Sequence, residues 1–174
     1  MDLIQMLVNL ASDLTTASID LAMTLGLVGG VAALIIYLNR QVGLARDGRR
    51  VSGYAMLCFM FLCGALIALP QVMNAAAHQV GFGDVSFDAI SYAPSSFGAA
   101  ADGINAVLTI LRAVGVWFFY RGVCRMKRSL VDGHTGLSAG EDVGSGTTMA
   151  IVGILLTCNP ELLTALGNTL KLAW

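Results

Sequence analysis

Four long apolar stretches dominate the chain, and short polar segments separate them. They cover residues 21–38, 54–73, 103–120 and 147–166. A helix needs about 20 mostly apolar residues to cross the roughly 30 Å hydrocarbon core of a bilayer, because each residue rises about 1.5 Å. Each stretch is close to that length. The pattern therefore predicts an all-α integral membrane protein with four transmembrane helices.

Basic side chains are concentrated in the polar segments that follow the first and third stretches, residues 38–53 and 121–146. Residues 1–20 and 72–102 contain acids but no lysine or arginine. Membrane proteins keep their lysine and arginine excess in cytoplasmic loops. We therefore expect both basic turns in the cytoplasm, and the termini and the central loop on the opposite side. The basic residues of the two turns are Arg40, Arg46, Arg49, Arg50, Arg121, Arg125, Lys127 and Arg128.

This order of segments divides the chain into four parts. Residues 21–73 and 103–174 are predicted to form two helical hairpins, and residues 74–102 an ordered, partly helical connecting segment on the outer side. Residues 1–20 have apolar side chains at one-sided helical spacing. They form either an amphipathic helix, lying on the membrane or against a neighbouring subunit, or a helical extension of the first span.

The two hairpins repeat the same features in the same order. Arg40 and Arg121 begin the two basic turns, and Pro70 and Pro160 lie near the outer ends of the helices that follow. Proline removes a backbone hydrogen bond, so a kink or an end of the helix is expected at Pro70. Both hairpins run in the same direction, which predicts two tandem hairpins related by a parallel internal repeat.

Small residues in the apolar stretches predict where helices pack closely. Gly26 and Gly30 form a GxxxG motif, and Gly29 lies beside them. Gly153 takes the corresponding role in the last stretch. Without a side chain at these positions, helix backbones can approach each other in lipid. We expect these faces to hold subunits together in a homo-oligomer.

Arg112 lies within the third apolar stretch, about 13 Å deeper than Arg121 if the segment is helical. A charge at that depth is costly and is normally paired or functional. Its candidate partners are Glu161, Asp102 and a lipid phosphate at the surface of another subunit. The alternative is that the side chain simply extends to the interface.

Composition excludes several classes of protein. Hydrophobic residues make up 56% of the chain and charged residues 12%, which places it outside the range of soluble globular domains. Its two histidines and four cysteines have neither metal-ligand spacing nor the arrangement of a nucleophilic site. We therefore predict a protein that is not an enzyme and has no metal or cofactor, with bound phospholipid expected at the basic turns.

The second hairpin contains two short motifs. Tyr120, Arg121, Gly122 and Lys127 form the turn, and Gly153, Leu156 and Pro160 the end of the following helix. In these motifs, over about residues 105–167, the chain resembles the small integral-membrane proteins of type IVB secretion and I-type conjugation systems, in the IcmC (DotE)/TraQ group.

The resemblance implies a structural, pilin-like subunit that supports DNA transfer. Its expected partners are further copies of itself, phospholipid, other secretion or conjugation components and single-stranded DNA passing through the assembly. The expected location is the bacterial inner membrane with periplasmic termini, or an extracellular conjugative pilus after assembly. The alternatives are a scaffold or channel component of the same machine and a small unrelated transporter.

Overall fold

The computed structural model describes residues 3–48, 53–88, 90–94, 98–130 and 136–171. The described chain is helical and contains no strand, which confirms the predicted all-α class. Its helices are α1 (Leu3–Arg46), α2 (Gly53–Ile67), α3 (Leu69–Val80), α4 (Ala99–Ser129), α5 (Gly136–Thr157) and α6 (Asn159–Thr169).

Helix α1 is a single helix of 44 residues. At about 1.5 Å per residue it is about 66 Å long, roughly twice the thickness of the hydrocarbon core. Residues 3–20 therefore extend the first span as one continuous helix, which is one of the two alternatives left open by their spacing. The helix also continues past residue 38, so the first half of the basic segment 38–53 is helical and not a turn.

The second and fourth predicted spans are not straight helices. Helices α2 and α3 meet at an angle of 96°, and α5 and α6 at 76°. Pro70 and Pro160 each lie in the first two positions after the break. The proline ring lacks an N–H and collides with the carbonyl four residues before it, so the helix changes direction there. The break expected at Pro70 is confirmed.

Because of these bends, the chain has between two and four candidate membrane spans. Val8–Arg46 and Ala100–Ser129 are each long and apolar enough to cross a membrane alone, and four spans result if each bent pair counts as one. Helix α2 has 15 residues and rises about 22 Å, less than the hydrocarbon core is thick. A helical membrane protein is therefore plausible, with two continuous and two broken candidate spans.

The predicted GxxxG motif packs α1 against α2 within the chain. A Cβ atom at Gly26 would lie 2.8 Å from the carbonyl oxygen of Leu66. One at Gly30 would lie 3.0 Å from the carbonyl oxygen of Cys63. At Gly29 nothing lies within 4 Å. The motif therefore forms a contact between two helices of the same chain. The sequence pattern had indicated a contact between subunits.

Helices α4 and α5 approach each other closely at two pairs of glycines. A Cβ at Gly115 would lie 2.6 Å from the carbonyl oxygen of Gly153, and one at Gly122 would lie 2.6 Å from that of Gly146. Both pairs are backbone against backbone, and the two glycines of each helix are seven residues apart. The seven-residue spacing places the two glycines of one helix on the same face. Helices α4 and α5 can therefore stay in contact along two helical turns.

Helix α4 lies at the centre of the bundle and packs against α1, α2 and α5. The main core includes Ile19 of α1, Leu66 of α2 and Val116 of α4. A second cluster forms around stacked rings of Tyr37 and Phe59, whose centroids are 3.9 Å apart. Leu130 packs on this second cluster. The C-terminal ends of α1 and α4 therefore lie at the same end of the bundle.

Candidate functional site

Helices α1 and α4 both have basic residues in their last turns. Arg46 lies in the last turn of α1, and Lys127 and Arg128 lie in the last turn of α4. The C-terminal end of a helix has a partial negative charge, and nearby cations contribute about 0.3–1 kcal/mol at exposed positions. Basic residues are therefore favoured in the last turns of α1 and α4. The contact of Leu130 with the Tyr37–Phe59 cluster shows that these two C-terminal ends lie on the same side of the bundle.

The eight predicted basic residues have different surroundings. Arg40, Arg46 and Arg121 are exposed, and no described carboxylate lies within ion-pair distance of them. Arg125 donates from Nε to Asp142 Oδ1 of α5 at 2.8 Å, so it ties α4 to α5. Lys127 is partly buried and Arg128 is exposed. Arg49 and Arg50 lie outside the described residues.

Arg112 is buried, with 4% of its surface exposed, so its side chain does not extend to the interface. Its Nε donates to the carbonyl oxygen of Thr157 at 3.3 Å, and its Nη1 donates to that of Asp88 at 2.8 Å. Thr157 is the last residue of α5, where carbonyl groups lose their partners in the helix. The guanidinium thus caps the broken end of α5 and holds the outer loop to α4.

The predicted acidic partners of Arg112 do not reach it directly. Among the described residues, neither Glu161 nor Asp102 forms an ion pair with it. Asp102 is exposed in the first turn of α4. The structure therefore pairs Arg112 with backbone carbonyls, which the sequence pattern did not indicate.

The break between α5 and α6 contains further polar groups. Asn159 is 6% exposed, and its Nδ2 donates to the carbonyl oxygen of Leu108 in α4 at 2.8 Å. Its Oδ1 and the Oε2 of Glu161 are buried without a hydrogen-bond partner in the described chain. Buried acceptors without a partner are uncommon and cost free energy. The break is thus a polar patch inside an apolar bundle, fixed to α4 through Asn159 and Arg112.

Side chains of α4 accept hydrogen bonds from the backbone of the outer segment, which was expected to form a cap. The Oδ1 of Asn105 accepts the N–H groups of Tyr92 and Ala93 at 2.9 and 2.8 Å. The hydroxyl of Thr109 accepts the N–H of Ile90 at 3.0 Å. Two residues of α4, one helical turn apart, therefore fix residues 90–93 against that helix.

A second group of polar contacts joins this segment to α3. The Nε2 of His78 lies 2.7 Å from Oδ1 of Asp84, and Nδ2 of Asn74 donates to the same oxygen at 3.1 Å. These hydrogen bonds, that of His78 first, hold the pKa of Asp84 below its ordinary value. Asn74 Oδ1 also accepts the N–H of Val85 at 2.7 Å. The helical part of the predicted connecting segment, 74–80, thus fixes the start of its extended part.

Sequence reasoning found the basic residues and Arg112 but missed their structural partners. It also missed the helix contacts of Gly115, Gly122 and Gly146. The available signal was the seven-residue spacing of Gly115 from Gly122 and of Gly146 from Gly153. Within the described residues no group of three or more histidine, cysteine, aspartate or glutamate side chains could hold a metal ion. Comparison with protein families, curated proteins and solved structures finds no match for this chain.

Proposed function

We propose that this chain is a structural, pilin-like membrane subunit of a conjugative type IVB secretion apparatus, which supports DNA transfer. Many copies assemble in the bacterial inner membrane with periplasmic termini, and the assembly binds anionic phospholipid at its basic helix ends. The motifs around Arg121 and Pro160 support the family, and the order of basic segment and proline that recurs in both halves of the sequence supports a duplicated unit. The geometry supports a structural role, since the buried Arg112 is used to cap a helix.

The observation on which this proposal rests most is that α1 and α4 both have basic residues in their last turns and end on the same side of the bundle. Arg40 and Arg46 of α1 and Arg121 of α4 are exposed, and no described carboxylate lies within ion-pair distance of them. In an oligomer these side chains would form a band of like charge, and the repulsion within it favours a bound anion. Phospholipid phosphates are abundant at the membrane surface, and each basic residue beside a membrane attracts anionic lipid by about 1 kcal/mol.

A small transporter is the second candidate, because both bent helices resemble the discontinuous helices that bind solutes in many carriers. A groove of about 460 Å³ lies beside the second bend and is lined by Glu161, Thr164 and Asn168 among others. A solute flux into liposomes that requires Glu161 would favour transport. A structural subunit gives no such flux and still binds lipid at the opposite end.

Replacing Arg40, Arg46, Arg121 and Lys127 together by glutamine should reduce the anionic phospholipid that copurifies with the protein. Four contributions of about 1 kcal/mol correspond to a large loss of bound lipid, since 1.4 kcal/mol is a factor of ten. Arg125 is left unchanged because its ion pair with Asp142 stabilises the fold. Native mass spectrometry of the purified protein in mild detergent measures the bound lipid.

The matched control for this variant is Lys171→Gln, which removes an exposed cation beyond α6, away from the basic helix ends. It should leave the bound lipid unchanged. Equal lipid content in the quadruple variant and the wild type would contradict lipid binding at the helix ends. The basic residues would then act only on the orientation of the helices in the membrane.

A further inference from the structure

Helix α6 turns away from α5 at the end of the bundle that lies opposite the basic helix ends. The ion pair of Arg125 with Asp142 joins α4 to the first half of α5, and the hydrogen bond of Arg112 to Thr157 joins α4 to the last turn of α5. Helix α5 therefore runs along α4, which is long and apolar enough to cross a membrane. The 76° bend then sets the axis of α6 close to the plane of the membrane that α4 crosses.

Three leucines with helical spacing form an exposed face on α6. Leu163, Leu166 and Leu170 are 39%, 49% and 65% exposed. Positions three and seven residues apart lie on one side of a helix, and Leu170 follows α6 directly with helical backbone angles. In the described chain none of the three belongs to either core cluster. This leucine face is therefore an apolar surface that packs on neither cluster.

A polar face lies on the other side of α6. Thr164, Asn168 and Lys171 are exposed, and they too follow helical spacing. At about 100° per residue, the middle of this face lies roughly 130° around the helix axis from the middle of the leucine face. Thr164 and Asn168 also line a groove together with Val80 and Phe82, at the end of α3 and the start of the outer segment. The polar face is thus turned toward the outer segment.

The outer segment contains polar side chains that need water. His78 Nε2 and Asp84 Oδ1 lie 2.7 Å apart, and the two side chains are 53% and 83% exposed. Ser86 and Asp88 are exposed as well. Ionisable groups are costly in hydrocarbon, so this segment faces water. The side of α6 toward the outer segment is therefore its water side, and the leucine face is turned away from it.

We propose that α6 is an amphipathic surface helix whose leucine face inserts among the acyl chains of the lipid leaflet at this end of the bundle. Helices of this kind bury their apolar face about 5–10 Å into the boundary between head groups and acyl chains. With 11 residues, α6 is about 16 Å long, too short to cross the hydrocarbon core by itself. The bend between α5 and α6 marks the place where the chain leaves the membrane core for its surface.

A kinked but continuous span is the competing arrangement for α5 and α6. It would place Thr164, Asn168 and Lys171 among lipid tails together with the leucines, and a lysine is costly there. A surface helix instead gives each face the medium that suits it. The inference requires only a membrane around the chain. It goes beyond the proposed function, which places lipid at the opposite end of the bundle through charge.

Nitroxide labels on single cysteines test the position of α6 in liposomes of neutral phospholipid. A cysteine replaces Leu163 or Leu166 on the leucine face, and matched controls replace Thr164 or Asn168 on the polar face of the same helix. Molecular oxygen concentrates among lipid tails, whereas a nickel chelate stays in water. The ratio of oxygen to nickel accessibility, measured by electron paramagnetic resonance, should be about fivefold higher on the leucine face than on the polar face.

The native cysteines require little change for this experiment. Cys63 and Cys158 are buried and stay, whereas Cys58 and Cys124 are half-buried and are changed to alanine. Protein labelled without an added cysteine gives the baseline.

Three results would overturn the surface helix. High oxygen accessibility on both faces would place α6 inside the hydrocarbon core, and high nickel accessibility on both faces would place it off the membrane. Protection of the leucine face from both reagents would mean that another protein, or a second copy of the chain, covers it. The readout involves neither anionic lipid nor DNA transfer, so each of these results leaves the proposed function to its own tests.

Discussion

Replacing Gly153 by alanine will destabilise the helix bundle by about 3 kcal/mol, the upper range for forcing extra atoms into a packed interior. The new Cβ would lie 2.5 Å from the backbone nitrogen of Phe119 and 2.7 Å from the carbonyl oxygen of Gly115. Both are backbone atoms of α4, so no rotation of a side chain can relieve the contact. The free energy of unfolding in mixed detergent micelles, followed by helical circular dichroism, measures the loss.

Gly144→Ala is the matched control on the same helix. Nothing lies within 4 Å of a Cβ at Gly144, so alanine fits there without a collision. Alanine in a helix interior is favoured over glycine by about 0.5–1 kcal/mol, so this variant should be equal to or more stable than the wild type. Equal stability of the two variants would contradict the close approach of α4 and α5.

Replacing Arg112 by methionine should also destabilise the fold, by about 3 kcal/mol. Methionine fills much of the same space but donates no hydrogen bond, so the carbonyl oxygens of Thr157 and Asp88 lose their partner. Hydrogen bonds from a charged group contribute about 1.5–3 kcal/mol each, and buried groups left without a partner are costly. The loss should loosen the outer loop, which limited proteolysis detects as faster cleavage within residues 82–94.

Arg121→Met provides the control, because Arg121 lies on the same helix and is exposed. Such surface substitutions usually change stability by less than about 0.5 kcal/mol. A role of Arg112 in binding a solute or a lipid phosphate predicts a different result, namely normal stability and normal resistance of the loop to protease. That outcome would contradict its role as a cap for α5.

Local sequence patterns predicted the features of this fold that depend on one segment at a time. Apolar stretches of about 20 residues indicate membrane helices, and Pro70 marks a break because its ring cannot continue a helix. The 96° angle could not be predicted, since it depends on how α3 packs against α1 and α2. The extension of α1 to 44 residues remained open because an amphipathic segment is compatible with a separate helix or a continuous one.

Contacts between segments that are distant in the sequence were harder to predict. The sequence indicated that Arg112 needs a partner, and acids were the natural candidates. Its partners are instead the carbonyls of Asp88 and Thr157, which every residue possesses and no pattern distinguishes. Likewise, the contact between Gly115 and Gly153 can be recognised only when the register of α4 against α5 is known. Which glycines touch which backbone is therefore a property of the tertiary structure.

The central claim is that this chain is a structural part of a DNA-transfer machine, and transfer frequency tests it most directly. Donor cells with an in-frame deletion of the chain are compared with donors that express the wild type or Gly153→Ala from a second locus. We expect transfer to fall to background in the deletion, to recover with the wild type and to recover poorly with Gly153→Ala. Transfer that is unchanged by the deletion would contradict the account.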